Sequence, residues 1–232
     1  MARALSKPLN ELPYFLSTIS MVVDDERQIV RDLKQAERKS PAVYGPAKDH
    51  FIIALEGKLP FEKILDQAKK LSDPTERKCA VDVLRASKKF LEDADKSPVR
   101  PIPTMSLSLP DNLELKIGPI WTRRLNPERL LVLHFWETAL KPRQLKAAAT
   151  ALKKAIQQQQ KAYADCDLDF VSLSIPEGNS SRRFKCYSWS ELKPLTFTEL
   201  DKFWAPLCSA WKKYKAEGPR FFTKRGPPTM FD

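Results

Sequence analysis

A run of seven mostly apolar residues, 130–136, constrains the fold more than any other stretch of the sequence. It reads Leu-Leu-Val-Leu-His-Phe-Trp, which is the length of a strand, and both of its alternating faces are apolar apart from His134. Such a pattern is typical of the central strand of a covered sheet. We therefore expect a central strand here, followed by a long helix at residues 142–163.

The predicted helix carries an apolar face and a separate cationic face. At about 100° of rotation per residue, its apolar residues fall within roughly 60° of Leu145. They are Leu145, Ala148, Ala149, Leu152, Ile156 and Tyr163. The second face, centred about 130° away, holds Arg143, Lys146, Lys153, Lys154 and Lys161. No Asp or Glu lies between residues 141 and 163, so these cations repel one another unless a neighbouring element or a ligand supplies anions. A solvated face that keeps the protein soluble is the alternative to a binding surface.

The chain is basic, and most of the excess lies in its second half. Of 232 residues, 40 are Lys or Arg and 29 are Asp or Glu, which gives a net charge of +11. Residues 101–232 carry 21 of the basic and 13 of the acidic residues, which accounts for +8. Such a balance favours acidic partners, so we expect DNA, RNA or an acidic protein surface to bind.

Nothing in the sequence predicts secretion or insertion into a membrane. Residues 1–8 lack the apolar core of a signal peptide, and no apolar run approaches the roughly 20 residues of a membrane span. The four cysteines, Cys79, Cys166, Cys186 and Cys208, have neither metal-ligand nor disulfide-framework spacing. We expect free thiols in a cytoplasmic protein without a bound metal, a cofactor or a membrane partner.

Changes in periodicity predict four segments along the chain. Helical spacing dominates residues 1–95, which we interpret as a helical domain. Residues 96–104 contain three prolines and predict an extended linker, with a segment packed across one domain as the alternative. From residue 105 onward, apolar and polar residues alternate as they do in strands, and we interpret residues 105–217 as a second domain. The aromatic and basic tail, 218–232, is expected to dock on its own domain, to be partly disordered, or to contact nucleic acid.

The predicted order after the linker is strand, strand, strand, helix, strand, strand, helix. Hairpins of strands around one crossover helix indicate an α+β fold. The full prediction is an N-terminal helical array followed by a β-β-β-α-β-β-α two-layer sandwich with a largely antiparallel sheet. The last helix, at about residues 197–216, has a heavily aromatic face.

A second basic feature lies at the start of the strand after the predicted hairpin turn. Arg182 and Arg183 come first, and Arg183 and Lys185 share a strand face with Tyr187 and Trp189. Cations interleaved with aromatic rings can form a platform for single-stranded nucleic acid. The rings can also belong to the core with the cations at its rim, which is the interpretation that we favour.

Two groups of carboxylates contain the residue types of a metal site. Asp111, Glu114 and Lys116 match the two acids and the lysine of a metal-dependent nuclease, but those acids normally come from two successive strands. The second group alternates just before a predicted strand and consists of Asp165, Asp167 and Asp169. If this segment is extended, the three carboxylates point to the same side and could hold a hard cation. The simpler interpretation is that they are loop acids that solvate a turn.

No recognisable catalytic centre emerges from these patterns. Cys186 as a nucleophile and His134 as its base are conceivable across the sheet, but nothing in the sequence fixes that pairing. The sequence therefore predicts a non-enzymatic binding protein for a polyanion, most specifically nucleic acid. Its candidate binding residues are Arg143, Lys146, Lys153, Lys154, Lys161, Arg182 and Arg183. The alternatives are a protein-interaction or regulatory module that uses the helical N-terminal half, and a metal-dependent hydrolase or nuclease.

Overall fold

The computed structural model describes residues 11–13, 15–36, 44–176 and 178–217, and this part of the chain contains eight helices and seven strands. The helices are α1 (Phe15–Met21), α2 (Glu26–Ala36), α3 (Gly45–Glu56), α4 (Phe61–Lys69), α5 (Pro74–Asp93), α6 (Pro142–Gln159), α7 (Trp189–Leu192) and α8 (Phe197–Glu217). The strands are β1 (Val99–Pro101), β2 (Met105–Leu109), β3 (Leu113–Ile117), β4 (Trp121–Arg123), β5 (Arg129–His134), β6 (Asp167–Ser174) and β7 (Arg183–Tyr187). The predicted α+β class, with helices first and a sheet after them, is confirmed.

Five strands form one sheet in the order β1-β4-β5-β6-β7. Three of its strand pairs are antiparallel, and the pair of β5 and β6 is parallel. A parallel pair needs a crossover connection between its strands, and α6 provides it. The strands β2 and β3 form a separate antiparallel hairpin. Strand pairing is therefore largely antiparallel, as predicted, but it is divided between two sheets.

The apolar run at β5 is buried on both faces of the five-stranded sheet. Leu130 and Val132 belong to a hydrophobic cluster with α1, α2, α6, α8 and the β2–β3 hairpin. Leu131 and Leu133 belong to a second cluster, with α3, α4 and α5 on the opposite face. The sheet is therefore the middle of three layers. The two-layer arrangement predicted for residues 105–217 describes one side of the sheet, and N-terminal helices add the layer on the other side.

The predicted linker at residues 96–104 contains β1, which pairs with β4 along the sheet. The backbone N–H of Val99 donates to Glu56 Oε1 over 3.1 Å, which ties this segment to the end of α3. The hydrophobic cluster of α3, α4 and α5 continues across it into the sheet. A shared core of this kind favours cooperative folding of the two parts, and independent folding of residues 1–95 stays a prediction.

Local signals fix the helix ends that the sequence predicts. Asp73 Oδ1 accepts hydrogen bonds from the backbone N–H groups of Thr75 and Glu76 over 2.8 and 2.9 Å, and Pro74 occupies the first turn of α5. This satisfies two of the donors that every helix start leaves unpaired. Gly57 ends α3 with φ +70°, a left-handed conformation in which other residues are strained.

Among the described residues, no helix is both long and apolar enough to cross a membrane. The four cysteines are free thiols: Cys79 and Cys208 are buried, and Cys166 and Cys186 are partly exposed. The aromatic and basic tail, for which the sequence predicts docking, disorder or nucleic-acid contact, lies outside the described residues.

Candidate nucleic-acid interface

α6 is held by packing along its apolar face and by hydrogen bonds at both ends. Its alanine-rich face is buried in the cluster that α1, α8 and the sheet share. At its start, Gln144 Nε2 donates to the carbonyl oxygens of Ser20 and Val22 over 2.9 and 3.1 Å. At its end, Gln159 Oε1 accepts from the backbone N–H of Ser106 in β2 over 3.0 Å. The remaining side of α6 is therefore presented to solvent in a fixed orientation.

The exposed side of α6 is the cationic face that the sequence predicts. It holds Arg143, Lys146, Lys153 and Lys154, with Lys161 in the short turn after the helix, and we name these five residues the α6 basic face. Arg143 Nη1 lies 3.2 Å from Asp24 Oδ1 in an exposed ion pair. The four lysines form no ion pair with any other described residue. They are accordingly free to meet an external anion.

The segment between α7 and α8 crosses the middle of this face. The backbone N–H of Leu195 donates to the hydroxyl of Thr150 over 2.7 Å. Thr150 is consequently only 1% exposed, although its helical position lies among the cations. Phe197, the first residue of α8, follows directly, and Lys154 Nζ lies 5.3 Å from the centroid of its ring. Helical spacing alone does not predict this interruption, because it arises from a distant part of the chain.

One carboxylate lies near the α6 basic face without forming an ion pair with it. Glu199 Oε2 accepts hydrogen bonds from the backbone N–H and the hydroxyl of Thr196, both over 2.8 Å, at the start of α8. These bonds, and after them the charges of Lys146 and Lys202, hold the pKa of Glu199 below its usual value. Neighbouring elements therefore supply some negative charge, from Glu199 and Asp24, but leave the face net positive.

Arg182 and Arg183 are neighbours in sequence with different surroundings. Arg182 Nη1 donates to the carbonyl oxygens of Phe135 and Leu173, each over 2.6 Å. Its guanidinium lies over the ring of Tyr44, with Cζ 5.8 Å from the centroid. Arg182 therefore ties together the ends of β5 and β6, whereas Arg183 is exposed on the outer strand β7 and forms no ion pair with a described residue.

The aromatic residues around β7 belong to the core, as the favoured interpretation of the sequence predicts. Tyr187 packs edge-on against Phe170 with ring centroids 6.5 Å apart. Trp189 Nε1 donates to the carbonyl oxygen of Cys166 over 3.0 Å. Both aromatic residues pack against the cluster on the α6 side of the sheet. By strand alternation Arg183 shares that face with Tyr187 and adds a further cation on the α6 side.

No protein-family model, curated protein or solved structure matches this chain. The basis for assigning a function is therefore the chemistry of its own residues. Among the described residues that the sequence singles out, the four lysines of the α6 basic face have no ion-pair partner. Asp111, Lys116, Asp167 and Asp169 are engaged in ion pairs within the protein.

Two carboxylates of β6, Asp167 and Asp169, meet arginines from β4 and β5. Arg123 Nη1 and Arg129 Nε donate to the two carboxylate oxygens of Asp169, each over 2.9 Å, and Arg129 Nη1 donates to Asp167 Oδ2 over 2.6 Å. Arg123 is 3% exposed and Asp169 is 6% exposed. We name these four residues the arginine–aspartate cluster. Their charges neutralise one another, so the negative charge that a hard cation would need is already balanced, and Asp165 lies exposed outside the cluster.

The residues of nuclease type do not converge on one point. Asp111 Oδ1 lies 2.8 Å from Lys212 Nζ of α8. Lys116 forms an ion pair with Glu11, which precedes α1. Glu114 is exposed on β3. Asp111 and Lys116 are thus engaged with partners on other elements, and no group of three or more His, Cys, Asp or Glu side chains in the described part of the chain is placed to hold a metal ion.

His134 and Cys186 lie on opposite faces of the sheet and form no nucleophile–base pair. His134 Nδ1 is 3.3 Å from Ser172 Oγ, and His134 Nε2 is buried without a partner among the described residues. Burial, followed by the charge of Lys48, lowers the pKa of His134 to about 4. Burial, followed by the charge of Asp169, raises the pKa of Cys186 to about 12. A thiol with that pKa stays protonated at neutral pH and is a poor nucleophile.

Phe197 is the residue of this surface that the sequence did not single out. Among the described residues it is the one large hydrophobic side chain that is exposed, at 51%. The predicted aromatic face of the last helix, from Leu200 to Tyr214, is buried. The sequence does place Phe197 at the very start of the helix, before that buried face, and this position was the available signal that its side chain is exposed. Its position beside Lys154 depends on the crossing segment and was not visible in the sequence.

Proposed function

We propose that the protein is a non-enzymatic binding protein for a polyanion, most specifically nucleic acid, held by the α6 basic face together with Arg183. One observation carries this proposal. Two exposed and two partly exposed lysines on one surface have no ion-pair partner among the described residues. Proteins usually intersperse charges of both signs on exposed helices. A surface that carries mainly positive charge attracts polyanions.

Phosphate groups are the expected contacts of these cations. Each lysine that neutralises a phosphate releases condensed counterions, and this release drives binding without reading bases. The anchoring of α6 at Gln144 and Gln159 supports this role, because the backbone that carries the cations does not need to be ordered by the ligand. With four to five phosphate contacts, we expect a log–log slope of affinity against salt of about −3 to −5.

Arg182 is assigned a supporting role, which differs from the direct contact predicted from the sequence. Its guanidinium binds backbone carbonyls at the ends of β5 and β6, so it positions the start of β7. Arg183, the next residue, is thereby held on the outer strand. Direct contact with phosphate is proposed for Arg183 and for the α6 basic face, and Arg182 acts through Arg183.

Titration of fluorescent single-stranded and double-stranded DNA and RNA at about 50 and 200 mM salt tests the proposal. The test variant replaces Lys146, Lys153, Lys154 and Lys161 by glutamate. The matched control makes the same change of charge on the opposite layer, at four exposed lysines of α4, α5 and the turn between them: Lys63, Lys70, Lys78 and Lys89. Urea unfolding and circular dichroism confirm that both variants are folded.

We expect the wild-type protein to lose about 100-fold in affinity between the two salt concentrations. The test variant should lose measurable binding, and the control variant should keep most of its affinity. Equal losses in the two variants would show that net charge alone attracts the ligand and that α6 is not the site. Absence of binding by the wild type at micromolar protein in low salt would overturn the proposal. The N-terminal helices would then be the surface to test for a protein partner.

A further inference from the structure

The start of α8 holds an aromatic ring in a fixed position within the basic surface. Thr196 and Glu199 cap this helix reciprocally, with the Glu199 backbone N–H donating to Thr196 Oγ1 over 3.2 Å and the Thr196 N–H donating to Glu199 Oε2. On the preceding side, Leu195 is bound to Thr150 of α6. The backbone is therefore anchored on both sides of Phe197.

The ring of Phe197 is left half-exposed, which is costly for a large apolar side chain. It is 51% exposed, while the other large hydrophobic side chains of the described residues are buried or partly buried. Lys154 Nζ lies 5.3 Å from its centroid, and Lys146 is near enough to Glu199 to influence its pKa. A half-exposed aromatic ring beside one cation combines a surface for stacking with a contact for phosphate.

The other aromatic residues near the α6 basic face and β7 are only partly exposed, and Tyr163, Tyr187 and Trp189 pack against the hydrophobic cluster. Tyr187 packs on Phe170, and Trp189 is engaged by the backbone of Cys166. Among the described residues, Phe197 is thus the most exposed aromatic side chain at the α6 basic face. Bases in a duplex are already stacked on one another and present only their edges, whereas unpaired bases can leave the stack and lie on a ring.

We propose that the surface binds single-stranded nucleic acid, with one base stacked on Phe197 and the adjacent phosphates held by Lys154 and its neighbours on the α6 basic face. This inference rests on the proposed function and deepens it by naming the ligand as single-stranded. Stacking on one aromatic side chain corresponds to about 5- to 150-fold in affinity per base. It adds no phosphate contact and therefore does not change the dependence on salt.

Two substitutions at one position separate stacking from apolar contact. Phe197→Ala removes the ring, and Phe197→Leu retains apolar bulk without an aromatic face. Each variant is titrated with a 12-nucleotide single strand and with the corresponding 12-base-pair duplex at the same salt. A single strand with 2-aminopurine at successive positions reports stacking directly, because the fluorescence of this base is quenched when it stacks.

We expect Phe197→Ala to weaken single-strand binding by at least about fivefold and to leave duplex binding within about twofold. Phe197→Leu should lie between Phe197→Ala and the wild type. The salt slope should be the same in all three proteins, and the quenching of 2-aminopurine should be lost in Phe197→Ala. Unchanged urea midpoints exclude unfolding as the cause.

An equal loss for single strand and duplex, or undiminished single-strand binding, would overturn the stacking inference. The proposed function would still hold in either case if the four-lysine variant loses binding and its control does not. If the four-lysine variant binds like the wild type, the α6 basic face is not the site and both conclusions fail. The two conclusions therefore have separate criteria.

Discussion

The arginine–aspartate cluster and the α6 basic face are both rich in charge, but only the first neutralises its charges internally. In the cluster, two arginines meet two aspartates across β4, β5 and β6 over 2.6 to 2.9 Å. On the α6 basic face, Arg143 pairs with Asp24, and the four lysines have no ion-pair partner among the described residues. The difference separates charges that hold the fold together from charges that are available to a ligand.

Sequence spacing alone does not distinguish these two roles. The alternating carboxylates at residues 165–169 resembled a ligand site, yet two of them are structural partners of arginines. Burial decides which of the two roles a charge has, because a buried charge must find its counter-charge within the protein. Exposed charges carry no such requirement, so an unpaired set can persist at little cost in stability.

The largest expected effect follows from breaking the cluster at its most buried acid. Asp169→Asn leaves Arg123 buried without its anion, and removing one partner of a buried pair costs about 3–5 kcal/mol. Urea unfolding should show a loss of this size. Asp165→Asn, which removes an exposed acid outside the cluster, should stay within about 0.5 kcal/mol of the wild type. A loss below 1 kcal/mol for Asp169→Asn would mean that the cluster is not a stabilising unit.

The comparison is sharpened by His134, a buried base whose charged neighbours, Lys48 and Arg182, are cations. The pKa of His134 is lowered to about 4 by burial and by the charges of Lys48 and Arg182. The unfolded chain takes up this proton near pH 6.5, and the folded protein does so only near pH 4. Stability is therefore fully present above pH 6.5 and falls by up to about 3 kcal/mol as the pH drops to 4.

Unfolding free energies of the wild type and of His134→Gln between pH 4 and 7 check this expectation. The variant lacks the titrating imidazole, so its stability should fall less steeply over that range. His50 and the carboxylates are present in both proteins and cancel in the difference. Parallel curves for the two proteins would show that His134 titrates at its ordinary pKa in the folded state.

A single lysine of the α6 basic face should affect binding without affecting the fold. Lys153→Gln removes one phosphate contact and should reduce the salt slope by about 1. The free energy of unfolding should stay within about 0.5 kcal/mol, because the side chain is exposed and forms no ion pair with a described residue. Lys78→Gln on α5 is the matched control and should leave the slope unchanged. A stability loss comparable to that of Asp169→Asn would remove the distinction between the two regions.

The smallest effect is expected where the two kinds of charge meet, at the exposed pair of Arg143 and Asp24. Asp24→Asn frees Arg143 for a ligand, and an exposed pair is worth at most about 1 kcal/mol. Affinity for single-stranded DNA should therefore rise by no more than about fivefold. Weaker binding by this variant would mean that Asp24 positions Arg143 productively rather than competing with the ligand.

Long periodic segments were predictable from the sequence because local chemistry dictates them. The central strand and the buried aromatic face of α8 appear where their patterns place them. The cationic helix begins as predicted but ends at Gln159 rather than at residue 163, so Lys161 lies in the turn after it. The strands β1 and β4 were not recognised as separate elements, since each has three residues and cannot display a period. The third layer was missed because periodicity does not state which face of the sheet a helix covers.

The site was less predictable than the fold because its details depend on distant contacts. Asp169 meets Arg123 and Arg129, which lie 46 and 40 residues away in sequence. Arg182 binds the carbonyl oxygen of Phe135, which is 47 residues away. No spacing rule reports such pairs, so Arg182 was assigned to the ligand and Phe197 was overlooked.

The order of the sheet has a consequence for how the protein behaves at high concentration. In the described part of the chain, β1 and β7 are the outermost strands, and outer strands can add to those of another molecule and start aggregation. β1 is three residues long and ends in Pro101, and β7 carries exposed Arg183 and Lys185. Proline removes a hydrogen-bond donor, and paired copies of β7 would bring like charges together. In the unliganded protein, the charges of Arg183 and Lys185 thus disfavour self-association through β7.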